Sequence, residues 1–147
     1  MKVLLNMETK TSVKITSVAL NHQDCYDFVA DDSCGGIVTF VGTVRNATKN
    51  KTVTLLDFTA YEPMAVKEMQ KIANTALAKF DIHKIAIHHA VGPLKIGAIP
   101  VIIAVSSAHR NAAFKACEYA IDTLKETVPI WKKEHFEDGE VWVNAHP

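Results

Sequence analysis

Three short segments hold side chains able to do chemistry. The first is Val44-Arg45-Asn46, where an apolar run ends in a cation. An arginine snorkelling at a strand end explains it as well as a functional guanidinium does. The second is Ser106-Ser107-Ala108-His109-Arg110-Asn111, at a junction between an apolar run and a helical pattern. A helix N-terminus has unpaired N–H groups and a positive dipole end, so His109 and Arg110 oppose the local field. A bound anion would reverse that cost. Backbone donors, serine hydroxyls and a guanidinium together suit a phosphate. An ordinary serine cap followed by two solvated side chains is the competing reading.

The third segment is Leu124-Lys125-Glu126-Thr127-Val128-Pro129-Ile130-Trp131-Lys132-Lys133-Glu134. Lys125 falls in a last helical turn, where a cation is favourable. Glu118 and Asp122 share its face, so a solvated helix surface accounts for it. Lys132 lies beyond the break at Pro129. Spacing alone assigns neither lysine a function. The remaining histidines are weaker candidates. His88 and His89 are adjacent on a strand and face opposite sides, a poor metal pair. His22, His83 and His135 have no partners at ligand spacing. There is no GxSxG, P-loop or GxGxxG pattern.

The elements that must position these groups follow from patterning. Residues 1–11 read as a loose tail and Val13–Val18 as a strand. Asn21 is placed to cap a helix over His22–Ala30. Gly35–Arg45 is apolar and β-branched, a central strand. Asn46–Lys51 reads as a polar loop and Thr52–Tyr61 as a strand. A helix is expected over Pro63–Phe80, with Met69, Ile72, Ala73, Ala76 and Phe80 as its apolar stripe. Strands are expected at Lys84–Val91 and Ala98–Ser107. A second long helix spans Asn111–Thr127, with a stripe of Ala113, Cys117, Ala120, Ile121 and Leu124, and Pro129 stops it. Ile130–Phe136 and Glu140–Asn144 flank the turn signal Asp138-Gly139. The order β-α-β-β-α-β-β-α-β-β predicts an α/β (α+β) fold, with helices packed on a mixed, largely antiparallel sheet.

The chain has 147 residues, which suits one domain over 1–147. Apolar residues make up 48% and charged residues 22%, so a core without staples is expected. Sixteen basic and sixteen acidic side chains cancel, which argues against a nucleic-acid or anionic-membrane partner. No apolar stretch reaches membrane-spanning length. Cys25, Cys34 and Cys117 are an odd, scattered set, read as reduced thiols in a cytoplasmic protein. The apolar start MKVLL is interrupted too soon for a secretion signal. No metal or cofactor is expected.

The same segments, in the same order, resemble the family of molybdopterin synthase large (catalytic) subunits, MoaE-like proteins. The matching stretches are GGIVTFVGTVRN (Gly35–Asn46), LDFTAYEPMA (Leu56–Ala65), HHAVGPLKIG (His88–Gly97), VSSAHRNAAFKACEYAIDTLKETVPIWKKE (Val105–Glu134) and GEVWVNA (Gly139–Ala145). They span about three quarters of the chain. The combination of VGxVRN, SAHR and LKxxxPxWKxE is specific where each alone is weak.

The resemblance implies a hammerhead-like α/β fold and a homodimer within a heterotetramer. A small ubiquitin-like subunit with a thiocarboxylated Gly-Gly tail docks on each protomer. Sulfur passes from that tail to cyclic pyranopterin monophosphate, and two transfers form the dithiolene of molybdopterin. The resemblance implies that Lys125 is the essential catalytic lysine and Lys132 the second pocket lysine, near the partner's tail. Arg45, His109 and Arg110 are implied to bind the pterin phosphate and line the site. Crowded cations are expected to lower the pKa of Lys125 and free it for proton transfer or nucleophilic attack. Many family members carry an arginine just after the WVxA segment, reaching the neighbouring protomer's pocket. This chain has His146 there, so a cross-dimer anion contact would depend on pH.

Two other functions fit the residues more loosely. One is a non-catalytic module binding a ubiquitin-like tail or an anion, for which Lys125 would be dispensable. The other is a small acylphosphatase-like phosphohydrolase with Arg45 cradling phosphate and Asn46 orienting water. Phosphate release from simple acyl phosphates without a partner would mark it.

Overall fold

The computed structural model describes residues 9–144. Nine strands and three helices alternate among them: β1 (Thr11–Thr16), α1 (His22–Val29), β2 (Gly36–Gly42), β3 (Ala47–Thr48), β4 (Lys51–Ala60), α2 (Glu62–Lys79), β5 (Lys84–Ala90), β6 (Gly92–Lys95), β7 (Val101–Ser107), α3 (Arg110–Thr127), β8 (Ile130–Phe136) and β9 (Gly139–Asn144). They form two sheets. The first runs β1-β5-β7-β2, with β1 parallel to β5 and the other pairs antiparallel. The second runs β3-β4-β8-β9, with β6 also on β4, and is antiparallel throughout. The expected mixed, largely antiparallel α/β architecture is present, divided between two sheets.

The central strands β5 and β7 are buried almost end to end, because helices cover both faces of the first sheet. α2 and α3 close one face with Ala65, Met69, Ile72, Ala73 and Ala76 from α2 and Ala113, Ala116, Cys117, Ala120 and Leu124 from α3. The small residues let the helices approach closely, and full burial of each larger side chain contributes about 1.5–3 kcal/mol. α1 covers the other face through Cys25 and Val29. Asn21 caps it by accepting from the Gln23 N–H at 2.8 Å.

Several boundaries moved for physical reasons. β2, expected as a central strand, is an edge of the first sheet, and it ends at Gly42 rather than Arg45 because Val44 leaves the sheet and exchanges backbone bonds with Gly97 and Ala98. The expected loop over Asn46–Lys51 is a tight hairpin. Lys49 and Asn50 adopt φ of 49° and 68°, the two left-handed residues of a primed turn. Gly92, at φ 98°, turns the chain straight from β5 into β6, a strand that patterning missed. β7 begins after Pro100, whose missing N–H cannot serve a ladder. Thr11, assigned to the loose tail, already pairs opposite Ile85.

Candidate active site

A cavity of about 160 Å³ opens between the end of β2, the β3–β4 hairpin, β8 and the last turns of α3. Arg45, Lys125 and Lys132 line it, together with Glu134, His89 and an apolar wall that includes Phe40, Phe58 and Ile121. Three cations distant in sequence therefore meet, each brought by a different element. Arg45 follows the point where Val44 leaves the sheet. Lys125 stands on the exposed side of the last turn of α3. Pro129 then turns the chain into β8, where Ile130, Lys132, Glu134 and Phe136 share one face by strand alternation. That face points inward: Ile130 and Glu134 are buried and Lys132 is half-buried opposite Phe58.

The electrostatics single out Lys132. Burial holds its ammonium pKa below the ordinary 10.5, Glu134 pulls it back up, and Lys125 and Arg45 lower it further.

Two polar side chains of the cavity, Glu134 and His89, are given no role in the site by the sequence. Glu134 is only 6% exposed and accepts a hydrogen bond from the Thr48 hydroxyl at 3.1 Å. Its available signal was a charge two residues after Lys132 on a strand, hence on the same face. His89 is buried at the end of β5, its Nδ1–H donating to the Ala90 carbonyl at 2.8 Å. Its ring meets Phe58 edge-on at 5.4 Å. His88 faces the other way, as alternation predicts, between Ser12 and Cys25.

His109 and Arg110 do not join this cavity within the chain. They border a separate depression at the start of α3 with Gly35, Ala108, Asn111 and Phe114. Fifteen residues of helix separate Arg110 from Lys125, about 22 Å at 1.5 Å per residue. The expectation of one pocket built by Arg45, His109 and Arg110 is thus not met by a single protomer. Ser106 and Ser107, expected to help hold an anion, are fully buried, and the Ser107 hydroxyl donates to the His109 carbonyl. His109 occupies the N-cap position without a side-chain cap bond. At Gly36 a Cβ would lie 3.1 Å from the Arg110 Cα, so glycine lets the strand approach this helix start. His146 lies outside the described residues.

Residues 15–127 match the family described as MoaE protein. A molybdopterin synthase catalytic subunit of Dictyostelium discoideum is 43% identical over 92% of this chain and 87% of its own length. One from Bacillus subtilis is 45% identical, covering 88% of this chain and 83% of its own. Among solved structures, molybdopterin synthase from Staphylococcus aureus superposes with a TM-score of 0.84 at 38% identity, over 93% of this chain and 98% of that one. The fold also recurs, at 21% identity and a TM-score of 0.73, in a Helicobacter pylori complex of subunits 1 and 2 of molybdopterin-converting factor. That likeness spans 95% of this chain and 94% of that one.

Proposed function

The chain belongs to the MoaE family of molybdopterin synthase catalytic subunits, and on that premise we propose how its cavity acts. Sulfur passes there from the C-terminal thiocarboxylate of a small ubiquitin-like subunit to cyclic pyranopterin monophosphate. The observation that carries this reading is the meeting of Arg45, Lys125 and Lys132 in one small cavity. Both reactants are anionic, and fixed cations in a water-poor site stabilise charge far better than solvent does. A Gly-Gly tail, lacking side chains, suits a slot of this width. In each transfer the thiocarboxylate sulfur bonds to an oxygen-bearing carbon of the pterin side chain while the carbon–oxygen bond there breaks, the oxygen leaving as water or with the opened phosphate ester, so no oxidant or reductant is needed. Water then cleaves the acyl–sulfur bond, leaving sulfur on the pterin and a carboxylate on the partner. Lys132, with its depressed pKa, is suited to move protons near neutral pH. Lys125 faces the same space as the catalytic lysine, and the guanidinium of Arg45 holds anionic oxygens bidentately.

The phosphate-binding role of His109 and Arg110 requires a second copy of the chain. β2 is an edge strand of the first sheet, uncharged from Gly36 to Gly42, with Thr39, Phe40 and Val41 exposed. α3 runs beside it, Arg110 touching the Gly36 end while Lys125 shares the cavity with Gly42. Twofold pairing of two β2 strands about Thr39 would set Gly36 of one copy against Gly42 of the other. His109 and Arg110 of the second protomer would then approach the first protomer's three cations. The reaction is assigned to the cytoplasm, where the free thiols of Cys25, Cys34 and Cys117 would stay reduced.

The test is reconstitution: purified protein, thiocarboxylated small subunit and cyclic pyranopterin monophosphate, with product followed by mass spectrometry. A dithiolene product lost in Lys125→Ala, with partner binding retained, is expected. Product formation unaffected by Lys125→Ala would overturn the catalytic reading.

A further inference from the structure

The cavity contains a polar link that the transfer chemistry above does not use. Thr48 sits on the two-residue strand β3 and lines the cavity, and its hydroxyl donates to Glu134. Glu134 is a buried carboxylate on the same face of β8 as Lys132. A buried carboxylate left without donors is costly, so each of its few partners helps decide where it points.

The hairpin that supplies the hydroxyl is short, held besides its ladder by the Val53 N–H to Asn46 carbonyl bond at 2.9 Å and by the Lys51 ammonium 5.2 Å over the Phe136 ring. β3 pairs with β4 only through Ala47–Thr52 and Thr48–Lys51. Its turn uses Lys49 and Asn50 in left-handed conformations, which are unfavourable for a lysine. The Lys51–Asp138 ion pair at its base spans 3.8 Å between exposed side chains and contributes little. Among the described side chains of β3 and its turn, the Thr48 hydroxyl makes the one hydrogen bond reaching across to β8.

We propose that Thr48 is a positioning residue: its hydroxyl holds the Glu134 carboxylate on the cavity face it shares with Lys132 and pins the β3–β4 hairpin against the cavity. This rests on the sulfur-transfer reading for its consequence, though not for its geometry. Three groups from three parts of the fold bear on the Lys132 ammonium, Glu134 on β8, Lys125 on α3 and Arg45 after β2, while His89 on β5 lines the same cavity. Only Glu134 is an anion. Its position therefore sets how far it offsets the burial and the two other cations that lower the Lys132 pKa. A threonine would in this way tune the protonation of a lysine that it does not itself contact.

The experiment measures reductive methylation of Lys132 across pH, read by mass spectrometry of the intact fold without pterin or partner. Thr48→Val keeps the side-chain shape and removes the donor. It is expected to lower the Lys132 midpoint by a fraction of the roughly one unit that a nearby opposite charge supplies, because the carboxylate remains but loses its fixed position. Glu134→Gln should lower it at least as far, and the double variant no further than Glu134→Gln alone. Thr48→Ser, which retains the hydroxyl, should restore the wild-type midpoint. In the reconstituted reaction Thr48→Val should reduce kcat on the order of tenfold, the worth of one hydrogen bond to a charged group, with KM for the small subunit little changed. An unmoved midpoint in Thr48→Val, a shift that adds to that of Glu134→Gln, or a shifted midpoint with unchanged kcat each overturns the proposal. Absence of product from the wild-type protein would sink the functional reading instead, while the midpoints would still decide the link.

Discussion

The separation of the cations along α3 makes a quantitative prediction. Arg110 and Lys125 stand about 22 Å apart on one rigid helix, too far to serve one small substrate from the same chain. If the working site takes Lys125 from one protomer and Arg110 from its twofold mate, Arg110→Ala and Lys125→Ala should complement each other. Each homodimer lacks one component at both sites. A removed charge-stabilising donor typically costs about a hundredfold in rate, so each should be nearly inactive. Random pairing of equal amounts makes half the dimers mixed. In every mixed dimer one site has both residues and the other has neither. Activity should therefore recover to about one quarter of wild type. The assay is dithiolene formation after co-expression of differently tagged variants, with the mixed dimer isolated through both tags and expected at about half the wild-type rate. No recovery in that doubly purified dimer, or full activity in the Arg110→Ala homodimer, would refute the shared-site argument.

Three further outcomes follow from the same structure. Lys132 has a folded pKa below its ordinary 10.5, so the unfolded chain binds the extra proton between the two values and stability rises with pH in that window. Relative to Lys132→Met, the wild-type melting temperature should gain as pH is raised toward 10.5, and a constant gap would contradict the burial. His88 is held below its usual 6.5, chiefly by burial and then by Lys14, so its contribution is present above that pH and lost as pH falls through the folded value. Chemical denaturation between pH 7 and 5 should show an acid-side loss that His88→Leu flattens. At Gly35 an added Cβ would lie 2.7 Å from the Ala108 carbonyl oxygen, a backbone atom, so Gly35→Ala must move the start of α3. A destabilisation of about 1–3 kcal/mol is expected by thermal unfolding, with sulfur transfer impaired as well.

Much of the architecture was legible in the chain because local physics governs it. The stripes of α2 and α3, the Asn21 cap, the proline stop after α3 and the Asp138-Gly139 hairpin each depend on residues within a few positions of one another. The features that went unseen depend on distant partners. β6 exists because β4 offers it an edge, and β2 stops early because Val44 finds Gly97 and Ala98. The division into two sheets follows from such pairings and has no local signature.

For the site, sequence alone determined the residue types, and resemblance to a family named Arg45, His109, Arg110, Lys125 and Lys132. Tertiary structure decided how they group. It brought Arg45, Lys125 and Lys132 into one cavity and left His109 and Arg110 at the far end of a rigid helix. It also enrolled Glu134, Thr48 and His89, which no spacing rule marks. The physical reason is that a side chain's type is local, whereas its burial and the charges facing it belong to whatever segments the fold sets against it.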